Sequence, residues 1–297
     1  MTTKTVYLID ASIYVFRAYF SVPDSLRGMD GQPVNAAYGF TRFLAEFCEK
    51  SNADYVGVAF DESLTTSFRN DIYPQYKMNR ELPPEELKTQ FALCRRIAEA
   101  AGLFCAAHDQ YEADDLIATM SQQMRQAGFR TAVVSGDKDL TQLLRDKDFW
   151  WDFARGQQLD SAGVEQKFGV PPENIQDFLG LCGDAVDNIP GVPGVGPKTA
   201  TALLQAFGTL ESVYDNLDQI ESLAFRGAKT MAKKIAPHES QALLSKQLAT
   251  VSYEAPVQVS GDILKRGAPA IGEFKELSQL LGGRGEGLFQ RLVDGAK

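Results

Sequence analysis

The stretch Tyr111-Glu112-Ala113-Asp114-Asp115, continued by LIATMSQQM to Met124, places three carboxylates within four residues at the head of an amphipathic helical segment. Acidic residues in a first helical turn complement the helix dipole, and an acid at the cap satisfies a free amide. That accounts for one such residue, not for three. A short apolar run, Leu103–Ala106, precedes the stretch and reads as a strand, so the acids sit where a strand hands over to a helix.

The same junction recurs along the chain. Thr5–Ile9 is an apolar run that ends at Asp10, Tyr55–Phe60 ends at Asp61, and Arg130–Val134 runs into Ser135-Gly136-Asp137-Lys138-Asp139. Between them, Ala36–Cys48 has Phe40, Phe43, Leu44 and Phe47 at helical spacing, and Pro83–Ala101 has Leu87, Phe91, Leu93, Ile97 and Ala98. Apolar strands alternating with helices predict an α/β fold, a mostly parallel sheet with helices on both faces. Beyond about Pro171 the alternation stops and Gly and Pro cluster, which predicts a small helical subdomain. The expected division is 1–170 and 171–297, with Gly282–Gly287 and the Lys297 end as a loose tail.

The chain has 297 residues, 44% of them hydrophobic, enough for one large domain or two modest ones. No run of eighteen apolar residues occurs, so no membrane helix is expected. The start, MTTKTVYLID, lacks the regions of a signal peptide. Cys48, Cys94, Cys105 and Cys182 lie far apart with no CxxC and read as reduced cytosolic thiols, so a cytoplasmic location is expected. With only His108 and His238 present, a multi-histidine metal site and a Ser-His-Asp triad are disfavoured.

In open parallel sheets, ligands bind beyond the carboxyl ends of the strands. Asp10, Asp61, Asp137 and Asp139 should therefore converge on one edge, joined by Glu112, Asp114 and Asp115. The segment GDAVDN adds Asp184 and Asp187, one helical turn apart. Any single one of these acids is explained as well by a helix cap. Nine together repel, and without compensation some would hold a proton at neutral pH. Divalent cations relieve this, and hard oxygen ligands without His or Cys suit Mg²⁺ or Mn²⁺. Two ions about 3.5–4 Å apart would serve a phosphoryl displacement. The net charge of −9 then fits a nucleic-acid partner: of 39 acids, nine belong to the cradle, and 39 − 9 = 30 face 30 Lys plus Arg.

Two further stretches favour nucleic acid. SFRNDIYPQYKMNREL, Ser67–Leu82, interleaves Arg69, Lys77 and Arg80 with Phe68, Tyr73 and Tyr76, cations for phosphates and rings for bases. IPGVPGVGPKTATALL, Ile189–Leu204, has Gly191, Gly194 and Gly196 for tight turning and close approach, with Pro197 suited to a first helical turn. The helix start with Lys198 and Thr199 makes a phosphate seat. This is a helix-hairpin-helix pattern, suited to DNA backbone, and its carbonyls could hold a monovalent cation.

YLIDAS, AFD, YPQYKMNR, YEADDLIAT, VVSGDKDLTQLL and GDAVDNIPGVPGVGPKTA, in this order, resemble the 5′-nuclease family, above all the 5′–3′ exonuclease domain of bacterial DNA polymerase I. The resemblance spans roughly residues 5 to 260. It implies a PIN-like or resolvase-like nuclease core, a helical arch at about 69–100 over the active site, and a C-terminal helix-hairpin-helix (H3TH) subdomain. It carries the family's metal positions onto Asp10, Asp61, Glu112, Asp114, Asp115, Asp137, Asp139, Asp184 and Asp187. Its active-site aromatic and basic positions match Tyr76, Lys77 and Arg80, and Arg69 stands upstream as a DNA-binding position, together with Gly191, Gly194, Gly196, Lys198 and Thr199. Asn35-Ala36 departs from the more usual small-residue pair. The expected activity is a 5′–3′ exonuclease and flap endonuclease using Mg²⁺ or Mn²⁺, with K⁺ at the hairpin, on DNA with 5′ flaps, nicks or free ends and on RNA-DNA hybrid. A monomer linked functionally to a polymerase is expected; no polymerase motif follows, which leaves a free-standing exonuclease or an excised domain. Two other readings are a metal-dependent ribonuclease, which leaves the glycine hairpin unexplained, and a non-catalytic sensor of branched DNA, which leaves the acids unexplained.

Overall fold

The computed structural model describes residues 3–62 and 66–295. Its centre is a six-stranded sheet, β1 (Thr5–Asp10), β2 (Tyr55–Asp61), β3 (Phe104–His108), β4 (Arg130–Val134), β5 (Phe149–Asp152) and β6 (Gln157–Leu159), in the order β3-β2-β1-β4-β5-β6. All pairings are parallel except β5 with β6. Four strands fall where the apolar runs predict them. The last two, β5 and β6, carry no sequence expectation.

Alternation along the strands divides the core. Val6, Leu8, Ala59 and Val133 face one side; Ile9, Val56, Val58 and Val134 face the other. Helices α1 (Ala11–Ser21), α2 (Asn35–Ser51) and α4 (Glu85–Ala100) cover the second face, with the five-residue helix α3 (Phe68–Ile72) between strand and arch. On the first face lies α5 (Ala113–Gln126), followed in sequence by α6 (Ser161–Phe168). Buried Asn35 donates to Tyr19 O at 2.8 Å and Val22 O at 3.2 Å, fixing the end of α1 to the start of α2.

The helical unit comprises α7 (Ile175–Cys182), α8 (Pro197–Phe207), α9 (Leu210–Asp215), α10 (Ala228–Ile235), α11 (Glu239–Ala249) and α12 (Gly261–Leu264). Its buried side chains, among them Leu179, Leu203 and Val213, are continuous with the α5 side of the sheet. The chain then crosses back: α13 (Ile271–Leu280) and α14 (Glu286–Asp294) pack on the opposite face against α2 and α4.

This corrects the expected loose tail at Gly282–Gly287; the Lys297 end lies outside the described residues. Gly282 and Gly283 have φ of +70° and +75° and turn the chain, and Phe289 and Leu292 then enter the core. Phe274 and Phe289 stack with centroids 4.6 Å apart, and Arg291 holds Glu49 through two contacts of 2.6–2.7 Å. The expected arch is helical at its feet, α3 and α4, while residues 73–84 between them form turns and extended chain.

Candidate metal and nucleic-acid site

The parallel register brings the acids to one edge. Asp10 pairs with Ala59 at the end of β1, Asp61 closes β2, and Ser135 follows β4. Asp10 caps α1 and accepts a hydrogen bond from the Ser135 hydroxyl at 2.8 Å. Asp61 Oδ1 accepts from the Ala113 amide at 2.8 Å, tying β2 to the head of α5. Asp137 accepts from the Asp139 amide at 2.9 Å, which folds Asp137-Lys138-Asp139 into a tight turn. Asp184 Oδ1 accepts from the amides of Val186 and Asp187 at 2.7 and 3.3 Å.

These carboxylates feel one another. Burial, then Asp61 and Asp137, push Asp10 up to about 7. Burial, then Asp137 and Asp10, push Asp114 well above the usual carboxylate range; burial and Asp137 do the same to Asp139. Burial also raises Asp137. Glu112 behaves oppositely: burial would raise it, but Lys77 and Arg69 outweigh this and hold it at about 2. At Asp184 the Lys138 ammonium likewise outweighs burial and lowers the group.

The chain's own cations stand among the acids. Lys77 Nζ lies 2.7 Å from Glu112 Oε2 and 3.7 Å from Asp187, Arg80 pairs with Asp187, and Lys138 Nζ lies 2.5 Å from Asp184 Oδ2. Tyr76 is buried, with its hydroxyl 3.2 Å from Glu112 and 3.4 Å from Asp187. Lys77 has φ of +56°, a left-handed conformation uncommon outside glycine, and its amide donates to Asp187 O at 3.0 Å. With these cations inserted, no three of the acidic, His or Cys side chains among the described residues close into a ready ligand cage. The donor set still suits a hard divalent ion: all oxygens, mutually repelling, with the buried Asp139 Oδ1 lacking a hydrogen-bond partner.

Three expected roles change. Asp115 is fully buried and its oxygens are taken: Arg69 grips both at 2.8 Å, the Ser252 amide donates to Oδ1 at 2.7 Å, and the Glu112 amide donates to Oδ2 at 3.1 Å. It offers nothing to a metal. Arg69, expected to meet DNA, is 2% exposed and also donates to Leu248 O and Thr250 O at 2.9 Å. The two residues form a buried joint between the arch foot, α5 and the end of α11. Gly191, expected at the DNA surface, is buried against the chain itself: a Cβ there would lie 2.3 Å from Gly183 N. Its φ of +60° turns the hairpin, and Gln241 and Ser245 of α11 bind its backbone at 2.7 and 3.0 Å.

Gly194, Gly196 and Lys198 are exposed and Thr199 is half-buried at the start of α8. The amides of Thr199 and Ala200 fold back onto Gly196 O at 3.0 Å. Beside Asp61 opens a cavity of about 540 Å³ under the arch, lined by Phe16, Phe60, Phe91, Lys88 and Arg95 among others. Sequence reasoning passed over Phe16, Lys88 and Arg95; Lys88 and Arg95 stand on the same face of α4, at a spacing a helical plot of that segment would have exposed.

Comparison with known proteins places the whole chain. Residues 5–169 match the model of the 5′-3′ exonuclease N-terminal resolvase-like domain, and residues 170–271 that of the 5′-3′ exonuclease C-terminal SAM fold. A 5′-3′ exonuclease of Aquifex aeolicus is 35% identical over 94% of this chain and 92% of its own length. One from Buchnera aphidicola subsp. Schizaphis graminum is 33% identical over 94% and 96%. DNA polymerase I of Bacillus caldotenax is 39% identical over 92% of this chain, which spans only 31% of that relative. Among solved structures, phage T5 5′-exonuclease with bound divalent metal ions (zinc) superposes with a TM-score of 0.67 at 18% identity, covering 99% of this chain and 100% of its own. The catalytic core of Rad2 in complex with DNA substrate gives 0.64 at 16%, covering 98% and 93%. Matched through both domains and nearly end to end by curated relatives, the chain belongs to the 5′–3′ exonuclease family of nucleases.

Proposed function

We propose that this chain hydrolyses DNA phosphodiesters at 5′ flaps, nicks and free 5′ ends, as a structure-specific 5′–3′ exonuclease and flap endonuclease in primer removal and repair. The observation that carries the reading is the set of buried carboxylates at one sheet edge, several raised by burial and by one another. Asp10, Asp61, Glu112, Asp114, Asp137, Asp139, Asp184 and Asp187 would hold divalent ions; Asp115 is not among them. Bound there, a pair of Mg²⁺ or Mn²⁺ ions would stabilise the attacking and leaving oxygens of an in-line displacement.

The remaining work falls to the chain. Lys77 and Arg80, next to Glu112 and Asp187, are placed to meet charge that builds on the scissile phosphate. Tyr76 braces Glu112 and Asp187 from beneath. The cavity beside Asp61, with aromatic walls for bases and Lys88 and Arg95 for phosphates, is where a single 5′ strand would lie. Gly194, Gly196, Lys198 and Thr199 would meet duplex backbone, and the hairpin carbonyls would hold a K⁺ ion.

The test is cleavage of labelled flap, nicked and blunt DNA, an RNA-DNA hybrid and single-stranded RNA, with Mg²⁺ or with chelator. Metal-dependent cutting of the flap with a 5′-phosphate on the product is expected. Preference for single-stranded RNA would favour a ribonuclease, and binding of flaps with no turnover would favour a sensor.

A further inference from the structure

Lys138 lies between two of the proposed ligands, and its ammonium stands on a third. Nζ donates to Asp184 Oδ2 at 2.5 Å and lies 3.7 Å from Asp139 Oδ1. Asp184 Oδ1 is already committed to the amides of Val186 and Asp187, so Oδ2 is the oxygen Asp184 has left to offer, and the lysine holds it. Asp139 Oδ1 is buried without a hydrogen-bond partner, so the ammonium acts on it only as a nearby charge. Among the described residues, Lys138 is the one cation within ion-pair distance of Asp139 or Asp184.

The lysine is also free to leave. Its side chain is 44% exposed, so swinging into solvent breaks little packing. Lys77 differs: its side chain is 14% exposed, and its left-handed backbone is pinned to Asp187 O. The Asp10 side of the cluster differs again, since Asp10 meets a hydroxyl and other carboxylates instead of an ammonium. Asp10 thus has no ammonium on it, Glu112 carries a pinned one, and the Asp139–Asp184 half carries a removable cation.

We propose that Lys138 is a built-in counterion that competes with a divalent ion for the Asp139–Asp184 half of the cluster, so that this half binds its ion weakly until a substrate phosphate arrives. The proposal rests on reading the cluster as a metal site. An ion entering this half must displace the ammonium from Asp184 Oδ2 or tolerate it alongside, and both weaken binding. An arriving phosphate gives the displaced ammonium a new anionic partner and adds oxygens for the ion, so both penalties fall together. By linkage, DNA then tightens the ion by the same factor that the ion tightens DNA.

Mn²⁺ binding to the DNA-free protein, read from the EPR signal of free Mn²⁺, tests this with wild type, Lys138→Met, Lys138→Gln and Lys138→Arg. Wild type should show a tighter and a weaker class of ion. Met and Gln should each tighten the weaker class by roughly fivefold or more, the change expected when an ion pair at the strong end of the exposed range is removed. Arg should stay near wild type. Adding an uncleavable nicked product duplex should tighten the weaker ion in wild type and do so less in Met and Gln. Isotherms for Met and Gln that match wild type, or are weaker, overturn the proposal and leave the metal reading standing. Wild type that binds no Mn²⁺ overturns both.

Discussion

Breaking the Arg69–Asp115 joint should cost stability without removing a metal ion. Arg69 is 2% exposed and Asp115 is 0% exposed, so solvent screening does not soften the loss. Replacing Arg69 with Met leaves a buried carboxylate with only the Ser252 and Glu112 amides for compensation, and strands Leu248 O and Thr250 O. Removing one partner of a buried pair costs about 3–5 kcal/mol. Against a typical total of about 5–15 kcal/mol that is a large fraction. With a urea slope near 3 kcal/mol/M, a loss of about 4 kcal/mol moves the midpoint down by more than about 1 M. Arg69→Met combined with Asp115→Leu should recover part of the loss, because the uncompensated charge goes with its partner. Mn²⁺ counted by EPR separates this role from metal ligation: Asp115→Asn should bind as many ions as wild type, whereas Asp137→Asn should bind fewer. An Asp115→Asn protein that keeps its urea midpoint and loses an ion would refute the assignment.

Asp10 gives a pH signature. Its folded value is raised from the ordinary 3.8 to about 7, so its contribution to stability is fully present below about pH 4 and is lost as pH rises to 7; in EDTA the Tm should fall between about pH 4 and 7 and level off above, and Mg²⁺ should flatten that fall. Glu112, held at about 2, acts in the other direction and loses its contribution as pH drops from about 4.5 toward 2. Lys77→Ala should lower kcat on a flap substrate by roughly 10²–10³-fold while duplex affinity changes little, as single-turnover and binding assays would separate. Lys198→Ala should weaken binding across DNA sequences and reduce the slope of log K against log salt by about 1, as fluorescence anisotropy at several salt concentrations would show. Phe289→Ala, which empties the stack on Phe274, should cost about 3–5 kcal/mol by urea unfolding; no loss would mean α14 is dispensable.

The sheet was legible because parallel strands buried on both faces read as near-continuous apolar runs; β1 and β2 end in an aspartate, and β4 is followed at once by Ser135-Gly136-Asp137. The acids were legible for the same reason, since strand ends locate them without any side-chain geometry. Strand β5, Phe149-Trp150-Trp151-Asp152, was not: four residues between polar turns are too few to distinguish a strand from an aromatic loop, and only pairing with Val133 and Val134 makes it one. The last helices were missed because Gly282, Gly283, Gly285 and Gly287 read as a loose segment, when two of them turn the chain and Gly285 lies against Phe289. Arg69 and Gly191 were misplaced because burial by α11, more than forty residues away in either case, leaves no local trace.

Asp115 shows what distinguishes two kinds of carboxylate that look alike in sequence. A buried carboxylate surrounded by fixed donors is satisfied by the fold. Asp115 has Arg69 and two amides; Asp148 has Arg125 at 2.9 Å and the amides of Thr131 and Arg145 at 2.7 and 3.1 Å; Asp177 has the Leu210 amide at 3.0 Å and Lys246 at 2.7 Å on Oδ1, and the Asn174 side chain at 3.3 Å on Oδ2. Each holds loops or helices together, and an added ion would find no free oxygen. Asp10, Asp114 and Asp139 are crowded by other carboxylates, and each is raised by burial and by those neighbours. A fold gains nothing by itself from crowding like charges in a low-dielectric site. The crowd is stable only with positive charge brought in, and the chain supplies part of it from Lys77, Arg80 and Lys138, the first two of which are proposed also to meet a phosphate. On the proposed reading, charge lent to the acids before substrate arrives cannot act on the substrate until something else neutralises the acids, so ion loading and DNA engagement should be coupled by the arithmetic of charge in one small volume.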